Sequence, residues 1–398
     1  LRAAARPGDG FEIAGTRAGE PAAILFTSGS TGPPKGAVYT HGIFQAQVDL
    51  LRSTYGIEPG EIDLPTFPLF ALFDAALGMT AVIPEMDFTR PARVDPARIL
   101  GPIEELGVTN LFGSPALIDT VGRHGAARGV RLPTLRRVLS AGAPVPPRAL
   151  ERFTQMLSPG VEIFTPYGAT EALPVASIGS AEILGETARG TAEGKGVCVG
   201  RPVEGIDVAV IGISDDPIER WSEDLRVGAG ETGEIVVRGP VVTRAYHERP
   251  RATALAKIID TGGESLWHRM GDLGRIDEQG RLWFSGRKSQ RVITSERTLF
   301  TIPVEGVFNA HPAVRRSALV GIGAAGAARP VLCVEREREA RRADREKLTA
   351  ELLQLGAAHG HTRAIDTVLY HDDFPVDIRH NAKIFREKLA AWAARRLR

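Results

Sequence analysis

The stretch that decides the fold runs from residue 27 to residue 36 and reads Thr27-Ser28-Gly29-Ser30-Thr31-Gly32-Pro33-Pro34-Lys35-Gly36. Its three glycines let backbone N–H groups converge on an anion without obstruction by a Cβ atom. Four hydroxyls and one ammonium supply further donors for phosphate oxygens. The stretch therefore predicts a loop that holds phosphate, and the alternative is a Ser/Gly-rich surface linker.

This loop differs from the P-loop of nucleotide-binding proteins. The spacing G-x-x-x-x-G-K-[ST] is absent, and Pro33-Pro34 prevents the helix that has to follow a P-loop. The apolar run at 22–26 directly before the loop predicts a buried strand. A phosphate loop at the end of a strand is where open α/β sheets place their ligands.

The composition is that of an ordinary globular protein with 398 residues, long enough for two or more domains. A net charge of +1 creates no overall field that would attract nucleic acid or an anionic membrane. Cys198 and Cys333 lie far apart and outside any metal-binding or redox spacing, so we expect a reducing, cytoplasmic setting. We find no targeting or transmembrane segment, because the apolar stretch 64–84 is interrupted by Asp74 and by prolines.

Strands and helices alternate in the first half of the chain. Short apolar runs at 108–112, 135–139 and 161–164 predict strands, and the segments 115–121 and 146–156 predict helices. Such alternation predicts a mostly parallel sheet covered by helices, and hence an α/β fold.

Two of these strands end in stretches that suit a ligand. Residues 140–144 are small and allow a flat ring to lie against the backbone, and residues 167–171 form the second stretch, which we expect to be a turn. Because both follow neighbouring strands, we expect a nucleotide site at this edge of the sheet.

The stretch 64–73 carries phenylalanines at 67, 70 and 73. A helix of the protein core and an apolar wall for a hydrophobic substrate explain this spacing equally well.

After residue 200 the pattern changes to short β segments, at 206–213, 233–238 and 282–285. They predict a β-rich subdomain, in which 271–274 forms a tight turn between strands. The remaining portion has the size of a small separate domain. It is predicted to contain a charged helix around 335–355 and a basic amphipathic helix at its end.

In this order the motifs resemble the adenylate-forming superfamily of acyl-CoA synthetases, luciferases and nonribosomal peptide adenylation domains. The resemblance covers nearly the whole chain. It implies a mixed α+β fold with a large domain at 1–286, built of parallel-type sheets and a β-rich subdomain, and a small mobile α+β domain at 287–398. It also leads us to expect that an N-terminal portion ahead of the phosphate loop is missing from this sequence.

The resemblance implies ATP and Mg²⁺ as cofactors, and it implies roles for individual residues. Those that would bind the nucleotide are Thr27, Ser28, Ser30, Thr31 and Lys35 in the phosphate loop, Gly142, Ala143 and Pro144 at adenine, Tyr167 and Gly168, Asp272 at ribose, and Arg287 before the hinge.

Three residues would be catalytic. Thr170 would contact the α-phosphate, Glu171 would hold the magnesium ion, and Lys383 would bridge the substrate carboxylate and the α-phosphate. Taken singly, Glu171, Asp272 and Lys383 would be a helix first-turn residue, a turn former and a solvated charge. Together with the ordered motifs, they favour the functional interpretation.

Several positions depart from the common pattern of the superfamily. Ser289 replaces an aspartate or lysine of the hinge, and the stretch 294–300 replaces a Gly-rich turn past which the pantetheine of CoA runs. Bulkier residues there hinder close backbone approach and weaken the case for a thiol acceptor. Ala382 replaces the glycine before the catalytic lysine, which we expect to matter little. Ala71 follows Pro-Leu-Phe, where many relatives have a histidine or an aromatic residue.

The stretch 67–74, Pro84-Glu85-Met86-Asp87 and the hinge 286–292 resemble the β-lactone synthetases of bacterial long-chain olefin biosynthesis. This resemblance implies adenylation of a long-chain 2-alkyl-3-hydroxy acid, whose own hydroxyl then closes the lactone and releases AMP. Other enzymes of that pathway would be the partners. The alternatives are a fatty acyl-CoA synthetase or a fatty acyl-AMP ligase and, from another class, an inactive adenylate-binding scaffold protein.

Overall fold

The computed structural model describes residues 14–27, 33–263, 265–342, 344–376 and 383–397. In these residues the fold is mixed α/β, with one large sheet and a smaller C-terminal domain. The predicted fold class is confirmed. The division between residues 286 and 287 stays a prediction.

The strands of the large sheet and of the two-stranded sheet before it lie in the first three quarters of the chain. They are β1 (Pro21–Phe26), β2 (Gly36–Thr40), β3 (Ile62–Pro65), β4 (Thr80–Ala81), β5 (Asn110–Gly113), β6 (Arg137–Ser140), β7 (Glu162–Ala169), β8 (Ala172–Gly179), β9 (Val197–Pro202), β10 (Asp207–Ile211), β11 (Gly233–Arg238), β12 (Lys257–Ile259), β13 (Leu266–Ile276) and β14 (Leu282–Arg287). The later strands are β15 (Val292–Ile293), β16 (Thr298–Leu299), β17 (Val314–Ile322), β18 (Arg329–Arg336) and β19 (Val368–Tyr370).

The helices are α1 (His41–Tyr55), α2 (Ala71–Leu77), α3 (Ala97–Leu106), α4 (Pro115–Arg128), α5 (Pro147–Thr154), α6 (Ser180–Glu182), α7 (Ala188–Ala192), α8 (Pro250–Ala256), α9 (Thr301–Asn309), α10 (Arg345–Ala357) and α11 (Arg386–Arg396). A π-helical turn, Ile183–Thr187, joins α6 to α7, and short 3₁₀ turns lie at Pro68–Phe70, Pro91–Arg93, Glu223–Leu225, Lys288–Gln290 and Glu339–Arg342. None of the helices in the described residues is long and apolar enough to cross a membrane.

The large sheet is continuous, with the strand order β10-β11-β13-β14-β9-β8-β7-β6-β5-β3-β4, and β12 pairs with β13. The strands from β4 to β7 are parallel, as the alternation of strands and helices predicts. The strands from β8 to β14 are antiparallel. The predicted parallel and β-rich parts therefore share one sheet, because the β7–β8 hairpin joins them.

The main core lies under the parallel strands. The strands β5 and β6 are buried over all four of their residues, as strands covered on both faces have to be. Helix α4 begins behind an N-cap, Ser114, whose hydroxyl accepts a hydrogen bond from the N–H of Leu117. Its buried side packs with α3 and α5 against these strands, around Phe153 and Ile118.

The C-terminal domain has a three-stranded sheet, β17-β18-β19, and the helices α9, α10 and α11. Two clusters of buried apolar side chains lie on the two faces of this sheet, centred on Phe308 and Phe374. The predicted amphipathic helix at the end of the chain is α11, which buries Leu389 and Ala393.

Four local predictions were wrong. The strand at 22–26 exists, but its side chains are half-buried or exposed, because β1 pairs only with β2 outside the large sheet. The segment 271–274 lies inside β13 at a bulge and forms no turn between strands.

The stretch 167–171 is a turn only at Thr170 and Glu171, because β7 continues to Ala169. The segment 335–355 begins as the end of β18, and helix α10 starts only at Arg345.

Candidate active site

The phosphate loop is closed at its two ends by Thr27 and Lys35. The backbone N–H of Thr27 donates to the carbonyl of Lys35 at 2.9 Å, and the N–H of Lys35 donates to the Thr27 hydroxyl at 3.1 Å. These two hydrogen bonds hold the end of β1 beside the start of β2. Three predicted phosphate-binding residues, Ser28, Ser30 and Thr31, lie outside the described residues.

Thr170 and Glu171 form the two-residue turn between β7 and β8, and several elements hold this turn. The Tyr39 hydroxyl of β2 donates to the carbonyl of Thr170 at 2.5 Å. The N–H of Thr243 donates to the carbonyl of Glu171 at 2.9 Å. Gly168 is needed here, because a Cβ atom at that position would come within 2.7 Å of the Ala172 carbonyl oxygen.

The Glu171 side chain is buried beside Tyr246, and the Tyr246 hydroxyl donates to its Oε1 at 2.5 Å. Burial and the Glu171 carboxylate raise the pKa of Tyr246, so the phenol stays protonated and keeps donating. The ammonium of Lys35 lies 4.6 Å from the centre of the Tyr246 ring, which is a cation–π contact. The phosphate loop and Glu171 are therefore brought together through one tyrosine.

Tyr246 and the buried Lys257 are not among the residues that the sequence motifs identify. The Lys257 ammonium donates to the carbonyl and, at 3.3 Å, to the hydroxyl of Thr243. Burial lowers the pKa of Lys257 to about 7, against the opposing effect of Glu171. A lysine at the start of a short strand carries no sequence signal of this kind, because its burial comes from distant segments.

Asp272 and Arg287 form a cross-strand pair of β13 and β14, with 2.9 Å between Nη1 and Oδ1. The Tyr167 hydroxyl donates to the other oxygen of Asp272 at 2.7 Å. Burial raises the pKa of Asp272, while Arg287 and, more weakly, the Lys383 ammonium lower it. Lys383, from the C-terminal domain, therefore lies close enough to Asp272 to act on its charge.

The predicted adenine-contacting residues, Gly142, Ala143 and Pro144, follow β6, the neighbour of β7 in the parallel part of the sheet. Gly142 has a φ of 102°, in the region that favours glycine. The structure therefore places these three residues at the same edge of the sheet as Tyr167 and Gly168.

An apolar cavity extends from this edge between α1, α2 and the sheet. Phe70, Phe73, Phe112 and Leu139 line it. Ala141 and Pro166, which precede Gly142 and Tyr167 in the chain, line it as well. Phe70 and Phe73 thus line the cavity, and all three phenylalanines of the stretch 64–73 also pack against a buried apolar cluster. That they form the wall of a substrate site stays a prediction.

The residues present suit a magnesium ion. Glu171 offers a carboxylate at the predicted position, and the Tyr246 hydroxyl bonds one of its oxygens. No cluster of three or more potential metal-ligating side chains exists among the residues that the structure describes. A single carboxylate fits Mg²⁺, because this ion usually takes one or two protein carboxylates and completes its shell with phosphate oxygens and water.

A family model described as AMP-binding enzyme matches residues 4–247. The chain belongs to this family. The resemblance to adenylate-forming enzymes is thereby confirmed, and the chain is an adenylate-forming ligase by family.

Two relatives are named olefin beta-lactone synthetase. The protein from Xanthomonas campestris pv. campestris is 50% identical over 390 residues, which are 97% of this chain and 69% of the relative. The protein from Stenotrophomonas maltophilia is 52% identical over 388 residues, with the same coverage of 97% and 69%. Among solved structures, the amide bond synthetase McbA from Marinactinospora thermotolerans is similar, with a TM-score of 0.74 and 26% identity. The match covers 93% of this chain and 69% of that one.

Proposed function

We propose that this protein adenylates a long-chain 2-alkyl-3-hydroxy acid with ATP and then closes a β-lactone. The observation that carries the proposal is the identity of 50% to an olefin beta-lactone synthetase over 97% of this chain. The apolar cavity that starts beside Ala141 and Pro166 supports it, because a long alkyl chain needs such a lining. Partners would be the enzymes that supply the hydroxy acid and consume the lactone.

In the first step, a carboxylate oxygen of the substrate attacks the α-phosphorus of ATP, and pyrophosphate leaves. The protein has to position the reactants and balance their charge. We assign the β- and γ-phosphates to Lys35 with the loop hydroxyls of Thr27, Ser28, Ser30 and Thr31. We assign the α-phosphate to Thr170 and Lys383, whose ammonium would also hold the substrate carboxylate.

The nucleoside would be held by a second group of residues. Asp272 can accept hydrogen bonds from both ribose hydroxyls, since Arg287 and Tyr167 fix its orientation. Adenine would lie against Gly142, Ala143 and Pro144, with Tyr167 and Gly168 on the neighbouring strand. When bound at Glu171, Mg²⁺ would neutralise phosphate charge.

In the second step, the 3-hydroxyl oxygen of the acyl-adenylate attacks the acyl carbon. A C–O bond closes the four-membered ring, the bond from the acyl carbon to the phosphate oxygen breaks, AMP leaves, and the hydroxyl proton is released. Because nucleophile and electrophile belong to one molecule, no thiol acceptor is needed.

The segment 294–297, after the hinge, supports the proposal that the acyl group is transferred to an acceptor other than CoA. Residues 294–297 connect β15 to β16, and the Thr294 hydroxyl donates to the carbonyl of Arg297 at 2.8 Å. The Arg297 guanidinium in turn donates to the carbonyl of Gly360 at 3.0 Å. Side chains thus occupy the place where the superfamily has a Gly-rich turn.

The test supplies a 2-alkyl-3-hydroxy acid with ATP and Mg²⁺, in the absence of CoA, and identifies the product by mass spectrometry and NMR. We expect equal amounts of AMP, pyrophosphate and β-lactone. A thioester formed only when CoA is added would support an acyl-CoA synthetase instead, and a stable acyl-adenylate would support an acyl-AMP ligase. Absence of pyrophosphate with every acid would support a scaffold protein.

The Lys383→Ala variant tests the catalytic lysine. We expect pyrophosphate release to fall by orders of magnitude, and a normal rate would remove Lys383 from the mechanism.

We also propose a reducing, cytoplasmic setting, which the burial of the free cysteines Cys198 and Cys333 suits.

A further inference from the structure

A group of three buried polar residues lies in the wall of the otherwise apolar cavity. Asp63 of β3 is 3% exposed, Asn110 of β5 is 3% exposed, and Asp74 of α2 is 5% exposed. All three line the cavity together with Phe70 and Leu77. Burying polar side chains in an apolar cavity costs free energy unless they are fully hydrogen-bonded, so these three residues are unfavourable for a purely structural wall.

The three residues form one polar group. Asn110 pairs with Asp63 across β3 and β5, and its Nδ2 donates to Oδ1 of Asp63. Burial and, as the next cause, the charge of Asp74 raise the pKa of Asp63, so the two carboxyl groups act on each other. Asn110 thus orients Asp63, and Asp74 is its acidic neighbour in the cavity wall.

This group has more acceptors than its own donors can satisfy. Oδ2 of Asp74 and Oδ1 of Asn110 are buried and accept no hydrogen bond from an N–H or O–H of any described residue. A proton on the acid pair could lie on Oδ2 of Asp74 but not on the amide oxygen of Asn110. Oδ1 of Asn110 at least therefore lacks a donor among the described residues, within the wall of the cavity.

The group lies at the end of the cavity away from the nucleotide edge of the sheet. Asn110 is the first residue of β5 and pairs with Arg137 at the start of β6, whereas Ala141 follows the end of β6. Four residues of extended chain separate position 137 from position 141, which corresponds to about 13 Å along the strands. An acyl chain that enters beside Ala141 would meet the polar group last.

We propose that Asp63, Asp74 and Asn110 form a polar floor that ends the acyl cavity and limits the length of the alkyl chain that the enzyme accepts. The inference rests on the proposed function, in which this cavity holds the alkyl chain. A methyl end that reaches the floor lies against these polar groups without offering a donor and keeps water away, so buried oxygens stay unpaired. A chain that stops short of the floor incurs no such cost.

The test measures kcat/KM for pyrophosphate release with 2-alkyl-3-hydroxy acids whose chain in this cavity grows by one methylene at a time. For the native protein we expect kcat/KM to rise about four-fold with each added methylene, because each one buries more apolar surface. At one chain length kcat/KM should then fall sharply. A second series carries a hydroxyl at the end of the chain. At the limiting length we expect this hydroxylated acid to exceed the methyl-ended acid by at least about ten-fold.

The decisive variant is the triple replacement Asp63→Leu, Asp74→Leu and Asn110→Leu. Leucine has nearly the shape of the residues that it replaces, and removing all the partners together leaves none of them unpaired. In the triple variant we expect kcat/KM to keep rising with chain length beyond the native limiting length. We also expect this variant to lose the preference for acids with a terminal hydroxyl.

A matched control is Asp74→Asn, which keeps the floor polar and should keep the native limiting length. Short acids that do not reach the floor report whether each variant is folded and adenylates normally. If the triple variant accepts short acids at the native rate but shows the native limiting length, the floor does not set chain length. If the native protein releases no pyrophosphate with any acid, the proposed function itself fails, which is a different result.

Discussion

The Tyr246 hydroxyl donates a hydrogen bond to Oε1 of Glu171 at 2.5 Å, although 75 positions separate the two residues in the chain. This bond orients the carboxylate of Glu171, which is the only side chain to which we assign magnesium. The same ring lies under the Lys35 ammonium, so one tyrosine positions both the phosphate loop and the acid.

Tyr246→Phe should therefore impair adenylation while leaving the ring under Lys35 in place. Hydrogen bonds to charged groups contribute about 1.5–3 kcal/mol, so we expect a loss of roughly ten- to a hundred-fold in kcat for pyrophosphate release. The matched control is Tyr370→Phe, which removes the hydroxyl bonded to Thr349 in the C-terminal domain and should leave the rate unchanged. Equal rates for Tyr246→Phe and the native protein would contradict this role of Tyr246.

The ion pair of Glu305 and Arg386 should position Lys383. Both carboxylate oxygens of Glu305 accept from Nη2 of Arg386, at 2.7 and 2.6 Å, and Arg386 begins the helix three residues after Lys383. Glu305→Gln should lower kcat for adenylation by about ten-fold and change the KM for ATP less than two-fold, because the lysine is misplaced after ATP has bound.

A melting temperature measured beside these rates separates positioning from stability. Arg329→Gln is the control, because it breaks the exposed pair with Asp366 in the same domain. A lowered melting temperature with unchanged kcat would assign Glu305 a purely structural role. Arg386→Lys keeps the charge but replaces the planar guanidinium by an ammonium on a flexible stem, so we expect an intermediate rate.

Lys257 should make the native protein more stable as the pH rises above 7. Its pKa is about 7 in the folded chain and about 10.4 when unfolded, so the unfolded chain binds more protons between these values. Stability rises with pH wherever the unfolded state binds more protons. The free energy of unfolding of Lys257→Met, measured in denaturant, should therefore fall relative to that of the native protein between pH 7 and pH 10.

Lys195→Met is a suitable comparison, because Lys195 pairs with Glu193 on the surface. Its stability relative to the native protein should stay nearly constant over this range. The same constancy in Lys257→Met would show that the folded chain keeps that ammonium charged.

The acid pair of Asp63 and Asp74 should produce the opposite slope at lower pH. Burial raises the pKa of Asp63 well above its usual value and that of Asp74 to about 6, while both titrate near 3.9 in the unfolded chain. The folded state then binds more protons, so stability begins to fall near pH 4 and is lost as the pH rises through the folded pKa values of both carboxyls. The double variant Asp63→Asn/Asp74→Asn should flatten this slope in chemical denaturation, and Asp366→Asn should not.

The residues of the candidate site could be named from the sequence because they occur in short ordered motifs. Thr170 and Glu171 follow a strand directly, and Asp272 and Arg287 stand beside glycines that mark strand irregularities. Such motifs can be recognised in the sequence because the chemistry requires particular residue types at a particular spacing. The direct partners of these residues carry no such signal.

The partners could not be predicted because tertiary contacts create them. Tyr246 and Tyr39 come from segments far from Glu171 in the chain, and only the tertiary arrangement of these segments brings their hydroxyls to the β7–β8 turn. The wrong expectation of a buried strand at 22–26 has the same origin. An apolar run suits an interior strand, but only pairing decides that β1 lies outside the large sheet.

Asp63 and Asp74 show most clearly the difference between what the sequence decides and what the tertiary structure decides. The sequence presented Asp74 only as a charge that interrupts an apolar stretch, and Asp63 precedes that stretch without a motif. By itself the sequence determined the α/β class and named the candidate phosphate loop and the order of the nucleotide motifs, because these depend on local residue types and their spacing. Only the tertiary structure decided that two carboxyls and an amide meet in an apolar cavity. Burial depends on which distant segments pack together, and burial raises the pKa of both carboxyls.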